Sequence, residues 1–201
     1  MKLIDVSAYQ GKIDWNKVCQ NKEIRGVIHR STVRSGKLDA RYCENLNSIL
    51  RDPLKNITFL GAYKFSYATD YIDAYVEAYK TLEAMDRAGS LMCINRFFLD
   101  LENWQSGAVK HYTPKEANEV IKGYIDAAKE FNVNFGLYCN YDYLKHIIDP
   151  ECWSHLYLWY ARYNKTMGDI EPFKARIWQY TSKGKVDGIT GDVDMNEVIE
   201  L

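Results

Sequence analysis

Apolar and polar positions follow two different periods along this chain. Short runs rich in β-branched and aromatic residues, each closed by polar residues or glycine, predict strands at Leu3–Ser7, Gly26–Ser31, Thr58–Ser66, Phe97–Leu101, Asn134–Cys139, Leu156–Ala161, Ala175–Thr181 and Val193–Met195. Their starts are 23, 32, 39 and 37 residues apart at first, then 22, 19 and 18. The long intervals hold a crossover helix and the late ones barely can. Helical spacing appears where room allows it. From Tyr71 to Met85, Ile72, Tyr75, Val76, Tyr79 and Leu82 form one apolar stripe beside Asp73, Glu77, Lys80 and Glu83. Thr113-Pro114-Lys115-Glu116 reads as a capping box with proline at the first helical position, and Val120, Ile121, Tyr124, Ala128 and Phe131 continue behind it. Strand and helix in alternation predict parallel strands joined by right-handed crossovers. The expected fold is an α/β barrel of eight strands that begins as a (β/α) repeat and finishes with bare or hairpin strands.

With 201 residues, no internal repeat and no linker, the chain is expected to be one domain over residues 1–201. Apolar residues at 47%, with only 4 Pro and 12 Gly, exclude low-complexity disorder and collagen. A net charge of −1 without a basic patch argues against nucleic acid as a partner. Five cysteines, none in a CxxC pair, point to free thiols rather than a disulfide framework. Asp5 interrupts the N-terminal apolar run where a signal peptide would continue, and no run is long enough to insert into a membrane. The expectation is synthesis in the cytoplasm, with any work outside the cell following lysis, another export route, or loss of a signal not shown here.

In a parallel barrel the reactive groups sit at the carboxyl ends of the strands. Asp5 follows the first apolar run, Asp100 and Glu102 the fourth, and Asp194 the last. Asp100 and Glu102 are two residues apart, so they share a strand face with Cα atoms roughly 6.5–7 Å apart. Closure of the barrel would place Asp194 beside Asp5. Carboxyl groups gathered at one mouth suit glycosidic bond cleavage, in which one protonates the leaving oxygen and another stabilises or attacks the anomeric carbon. A lone Asp-x-Glu is ordinarily a loop start or a helix cap, and only convergence of the four makes the catalytic reading compete. Tyr 16 and Trp 5 against Phe 7 favour flat, polar-tipped faces that stack on sugars; strand-end candidates are Tyr63, Tyr138, Trp178 and, after the Asp-x-Glu, Trp104. The histidines and cysteines lack zinc-ligand spacing, and GxSxG, P-loop and GxGxxG patterns are missing, so no metal or cofactor is expected. Cys139 as a nucleophile is the weaker reading of an unpaired cysteine, which is ordinarily a small buried hydrophobe.

Seven motifs in register carry a resemblance to a known family. Asp5-Val6-Ser7-x-x-Gln10-Gly11-x-Ile13-Asp14-Trp15, Gly61-Ala62-Tyr63-x-Phe65, Leu99-Asp100-Leu101-Glu102, Gly136-Leu137-Tyr138, Leu158-Trp159-x-Ala161-Arg162-Tyr163, Trp178-Gln179-Tyr180-Thr181 and Val193-Asp194-x-Asn196 resemble glycoside hydrolase family 25, the Chalaropsis-type lysozymes that include many phage endolysins. The resemblance implies a flattened (β/α)5β3 TIM-like barrel and N-acetylmuramidase activity on peptidoglycan glycan strands. It implies Glu102 as general acid, Asp100 as its partner carboxylate, Asp5 and Asp194 as the floor of the site, and Tyr63 and Tyr138 beside the catalytic pair. Arg30 stands where many relatives carry Lys in Lys-Ala-Thr-Glu-Gly, and here the run reads Arg30-Ser31-Thr32-Val33-Arg34. Family 18 chitinases carry Asp-x-x-Asp-x-Asp-x-Glu, against which this chain would place Asn95 and Phe98 at two aspartate positions. The rival class is a cell-wall glycan-binding module of the same fold without turnover, against which the intact Asp100 and Glu102 speak, since paired carboxylates hinder binding of an anionic polymer. A metal-free barrel enzyme for another small molecule would rest on fold analogy alone.

Overall fold

The computed structural model describes residues 1–51, 56–106, 108–163 and 173–199, with the backbone alone over 104–106 and 108–110. Strand β1 (Lys2–Val6) is followed by a 3-10 turn at Ala8–Gln10 and α1 (Trp15–Val18). Next come β2 (Ile24–Arg30), α2 (Tyr42–Leu50), β3 (Phe59–Phe65), α3 (Tyr71–Arg87) and β4 (Arg96–Asp100). A small hairpin, β5 (Trp104–Ser106) and β6 (Ala108–Lys110), leads into α4 (Pro114–Glu130) and β7 (Phe135–Asn140). A π turn at Tyr143–Ile147 and α5 (Pro150–Trp153) precede β8 (Tyr157–Ala161), β9 (Ile177–Gly184) and β10 (Val193–Val198). Among the described residues eight strands close a barrel in the order β1-β10-β9-β8-β7-β4-β3-β2.

All ladders in that barrel are parallel except those of β10, which runs antiparallel to both β9 and β1. Five strand–helix units are thus followed by three strands, as the spacing anticipates, and the short final interval is a hairpin. Its turn contains Gly188 at φ +96°, where a side chain would also meet the Asp14 carbonyl oxygen at 2.4 Å. The last strand does lie beside the first, with Asp5 directly opposite Asp194.

Side-chain alternation divides the apolar residues into two bodies. Leu3, Ile28, Phe98, Tyr138, Trp159, Ala161 and Ile177 fill the barrel interior. Ile4, Val6, Val27, Phe97, Leu99, Leu137, Leu158 and Tyr160 face the other way, into the larger core beneath the helices. Helix α4 begins at the capping box, with Thr113 Oγ1 accepting from the Glu116 N–H and Glu116 accepting from the Thr113 N–H.

Helix α3 corrects the apolar stripe read from its sequence. Its buried face is Ala74, Ala78, Thr81, Leu82 and Met85, while Ile72 is 64% exposed and Val76 and Tyr79 stand at the surface. Small residues prevail because α3 and α4 pack at very close range: a Cβ on Gly123 would lie 2.6 Å from the Tyr71 carbonyl oxygen and 2.9 Å from Ala74 Cβ. Gly123→Ala is therefore expected to destabilise the fold by about 1–3 kcal/mol, although alanine is the better helix former by about 1 kcal/mol. Denaturant unfolding checks this, and an equal or higher midpoint would mean the two helices separate at little cost.

Candidate active site

Two residues further along each interior row, about 6.6 Å higher in the barrel, the filling changes from apolar to polar. Leu3 gives way to Asp5, Ile28 to Arg30, Phe98 to Asp100 and Ile177 to Gln179. The result is a cleft of about 560 Å³ at the carboxyl ends of the parallel strands. Asp5, Arg30, Tyr63, Asp100, Glu102, Tyr138, Trp159, Tyr163, Gln179 and Asp194 all line it. Of the sequence candidates, seven are thereby brought together: the four carboxyl groups, Tyr63, Tyr138 and Arg30.

The floor is a connected hydrogen-bond network. Asp5 Oδ2 accepts from Gln179 Nε2 at 3.0 Å and from Asn196 Nδ2 at 2.8 Å. Gln179 Oε1 in turn accepts from the Tyr138 and Tyr163 hydroxyls at 2.9 and 2.7 Å, and Asn196 Oδ1 accepts from Trp159 Nε1 at 2.7 Å. These bonds orient both amides so that their N–H groups converge on Asp5. Trp159 anchors the aromatic wall, with Tyr138 and Tyr63 ring centroids 4.5 and 6.0 Å from its own. Glu102 leaves the end of β4 in a segment held by the Leu101 N–H donating to the Tyr138 carbonyl and by the Tyr143 hydroxyl donating to Asn103 at 2.7 Å.

The carboxyl groups act on one another as two pairs, Asp5 with Asp194 and Asp100 with Glu102. Burial lifts the pKa of all four, and like charge adds to it for Asp5, Asp100 and Glu102. Asp5 is pushed up to about 8 by burial and then by the Asp194 charge, against the donors from Asn196 and Gln179. Asp100 rises well above the usual carboxylate range through burial and its neighbour Glu102, and Glu102 rises through burial and Asp194, offset in part by its bond to Asp100. Asp100 Oδ1 is buried without any hydrogen-bond partner in the protein.

A raised acid pKa makes the folded state bind a proton that the unfolded chain has released, so the associated stability is complete below about pH 4 and is lost as pH rises through about 8. Melting temperature should fall across that window, and Asp5→Asn, which holds no charge to bury, should flatten the fall and melt higher than the parent at pH 8. Thermal melts at several pH values check this; parallel slopes in the two proteins would mean Asp5 is ionised at little cost in the native site.

The rim on the β2 and β3 side is basic and aromatic. Buried Asp39 accepts from Arg30 Nε at 2.7 Å, from the Ala8 N–H at 3.1 Å and from the Arg41 N–H at 3.0 Å, and so ties Arg30 to the turn that carries Tyr9. Tyr9 is 86% exposed with the Arg30 guanidinium 4.9 Å from its ring centre. Arg34 and Tyr67 complete that edge.

Trp178 is not at the mouth. Strand alternation turns it into the core beneath the helices, where its Nε1 donates to the Arg162 carbonyl at 2.8 Å, and the residue that faces the cleft from β9 is Gln179. The side chain of Trp104 lies outside the described residues. Gln179, Asn196, Trp159 and Tyr163 stand within the family motifs without an assigned role, and Tyr9, Tyr67 and Arg34 are not among the sequence candidates. Period-two counting from Asp194 finds Asn196, and a lone amide between two aromatics marks Gln179; Tyr9, Tyr67 and Arg34 lie in loops that no periodicity places. None of the five cysteines is joined in a disulfide among the described residues. Cys139 faces the helix side, fully buried, and burial holds its thiol well above the ordinary value, which leaves the nucleophile reading without support.

A barrel mouth with paired carboxyl groups and an aromatic wall suits acid–base hydrolysis of glycosidic bonds. Residues 4–189 match the model for glycosyl hydrolases family 25, and the chain belongs to that family. It is similar to the modular autolysin LytC of Streptococcus pneumoniae, solved in complex with a synthetic peptidoglycan ligand: 28% identity, TM-score 0.82, covering 97% of this chain and 46% of LytC. This chain thus spans less than half of that relative. The catalytic domain of endolysin ply40 from bacteriophage P40 of Listeria monocytogenes shares the fold, at 23% identity, TM-score 0.77, and 99% and 93% coverage of the two chains. An uncharacterised protein of Escherichia coli strain K12, YegX, is 24% identical over 203 residues, covering 96% of this chain and 67% of its own. Among the described residues no helix is long and apolar enough to cross a membrane.

Proposed function

We propose that the chain is an N-acetylmuramidase, hydrolysing the β-1,4 bond between N-acetylmuramic acid and N-acetylglucosamine in bacterial peptidoglycan as the catalytic domain of an endolysin or autolysin. It would reach the wall after lysis-linked release or export. The observation that carries this reading is the unpartnered buried Asp100 Oδ1 beside a Glu102 whose proton is retained by burial and the Asp194 charge. That oxygen is an acceptor ready for the N–H of a 2-acetamido group on the sugar.

In this mechanism Glu102 gives its proton to the leaving O4 as the C1–O4 bond breaks, and the acetamido oxygen closes on C1 to form an oxazolinium ring. Asp100 accepts the acetamido N–H and stabilises the positive charge that develops. The Glu102 carboxylate then takes a proton from water, whose oxygen attacks C1 and reopens the ring. Glu102 is reprotonated and the anomeric configuration is retained. Both carboxyl groups of the pair are also what a mere glycan-binding module would have no use for.

Incubation with purified Gram-positive peptidoglycan should produce new reducing ends on muramic acid. New ends on N-acetylglucosamine, or free amino groups without new reducing ends, would replace the muramidase assignment with a glucosaminidase or a peptidase. Asp194→Asn removes a like charge that helps hold the Glu102 proton, so the alkaline limb of its kcat/KM profile should move to lower pH. An unmoved limb would mean that burial alone sets the Glu102 proton.

A further inference from the structure

Tyr9 lines the cleft and is nevertheless 86% exposed. A single exposed aromatic is ordinary on a protein surface, but the turn that carries this one is not. Ser7, Ala8 and Tyr9 each donate a backbone N–H to a side chain: to Gln10 Oε1 at 2.9 Å, to Asp39 Oδ2 at 3.1 Å and to Ser7 Oγ at 3.2 Å. Gln10 Nε2 also donates to the Asp192 carbonyl at 3.4 Å, just before β10. The 3-10 turn is thus tied to its own cap, to the loop after β2 and to the hairpin before the last strand. Arg30, fixed by contacts of 2.6 and 2.7 Å to buried Asp39, lies with its guanidinium over the Tyr9 ring, 4.9 Å from the ring centre. With the cation over one face, the exposure of the ring belongs to its other face and its edge. The ring adds little burial to the fold, so a turn held this firmly around it gains nothing in packing. A surface preset in this way lowers the ordering cost of capturing a ligand.

We propose that Tyr9, braced by Arg30 and Asp39, is a substrate-binding residue whose free face stacks on a sugar ring of the glycan strand, at the β1 and β2 edge of the cleft. This deepens the muramidase reading and rests on it for the identity of the strand. In a β-1,4 strand of gluco-configured sugars the ring substituents are equatorial, so each ring offers a flat C–H face, and a tyrosine ring with a polar tip matches it.

The test is calorimetric binding of two soluble strands to the intact protein carrying Glu102→Gln, so that the strands are not cut: a peptidoglycan hexasaccharide freed of its peptides, and a chitin hexasaccharide. A strand that binds should be held about three- to tenfold less tightly when Tyr9→Ala is added, the scale of one aromatic contact, with the melting temperature close to that of the parent. Tyr9→Phe and Tyr9→Trp should keep most of the affinity, and Tyr9→Trp should add a change in tryptophan emission on binding that the parent lacks. Unchanged affinity in Tyr9→Ala, loss of affinity in Tyr9→Phe and Tyr9→Trp, an unresponsive added emission, or binding of neither strand overturns the proposal. The two readings fail separately. Dependence on Tyr9 with the chitin strand alone would sink the muramidase reading and leave the stacking in place. Release of muramic acid reducing ends by an enzyme whose strand affinity ignores Tyr9 would sink the stacking alone.

Discussion

Replacing Glu102 by Gln should cut hydrolysis of peptidoglycan by about 10²–10⁴-fold, the usual contribution of a positioned general acid, while leaving the melting temperature and wall binding close to those of the parent. The substitution keeps shape and removes only the transferable proton. Glu102 leaves the end of β4 in a segment fixed by the Leu101 N–H and by the Tyr143 hydroxyl on Asn103, so the amide should occupy the same place. Burial makes an ionised Glu102 costly, so the neutral amide should not lower stability. Reducing-end release by the purified variant decides the matter. Retention of more than about a tenth of the activity would contradict the acid role.

Asp100→Asn should be nearly as severe, with kcat lowered by about 10²–10³-fold, the scale of losing one pre-set electrostatic partner of a developing charge. Its amide oxygen still accepts a hydrogen bond from the acetamido N–H, so KM should change little. What is lost is the negative charge opposite the oxazolinium. One shift in the pH profile should accompany the loss. The acid limb, set by protonation of Asp100, whose pKa burial and Glu102 raise, should disappear, whereas the alkaline limb should not move to lower pH, because Asp100 lowers rather than raises the proton affinity of Glu102. A nearly active Asp100→Asn beside a dead Asp5→Asn or Asp194→Asn would transfer the partner role to the floor pair.

Much of this architecture was readable in the chain. Eight apolar runs became the eight barrel strands, and a run's length and β-branched content are local properties that sequence states directly. Thr113 and Glu116 delimit α4 for the same reason, since a capping box is complete within four residues. The carboxyl groups were readable because each follows an apolar run, and because closure of a barrel makes first and last strands neighbours whatever the loops do.

Other features depended on which way a face turns and how near its neighbour comes. Trp178 and Gln179 are adjacent in sequence, and only the pleat of β9 in the closed barrel sends the aromatic outward and the amide to Asp5. Ile72, Val76 and Tyr79 of the α3 stripe end at the surface because Gly123 and Ala74 allow a backbone approach that rewards small residues over large ones. Tyr9, Arg34 and Tyr67 meet at the cleft from separate loops, held partly by Asp39, which bridges β2 to the turn after β1. By itself the sequence determined the strands, the α4 cap and the four acidic positions, each encoded by residues close together along the chain. The raised proton affinities, the hydrogen-bonded floor and the basic rim were decided only by the tertiary structure, since burial and the distance between charges exist only once remote segments are packed together.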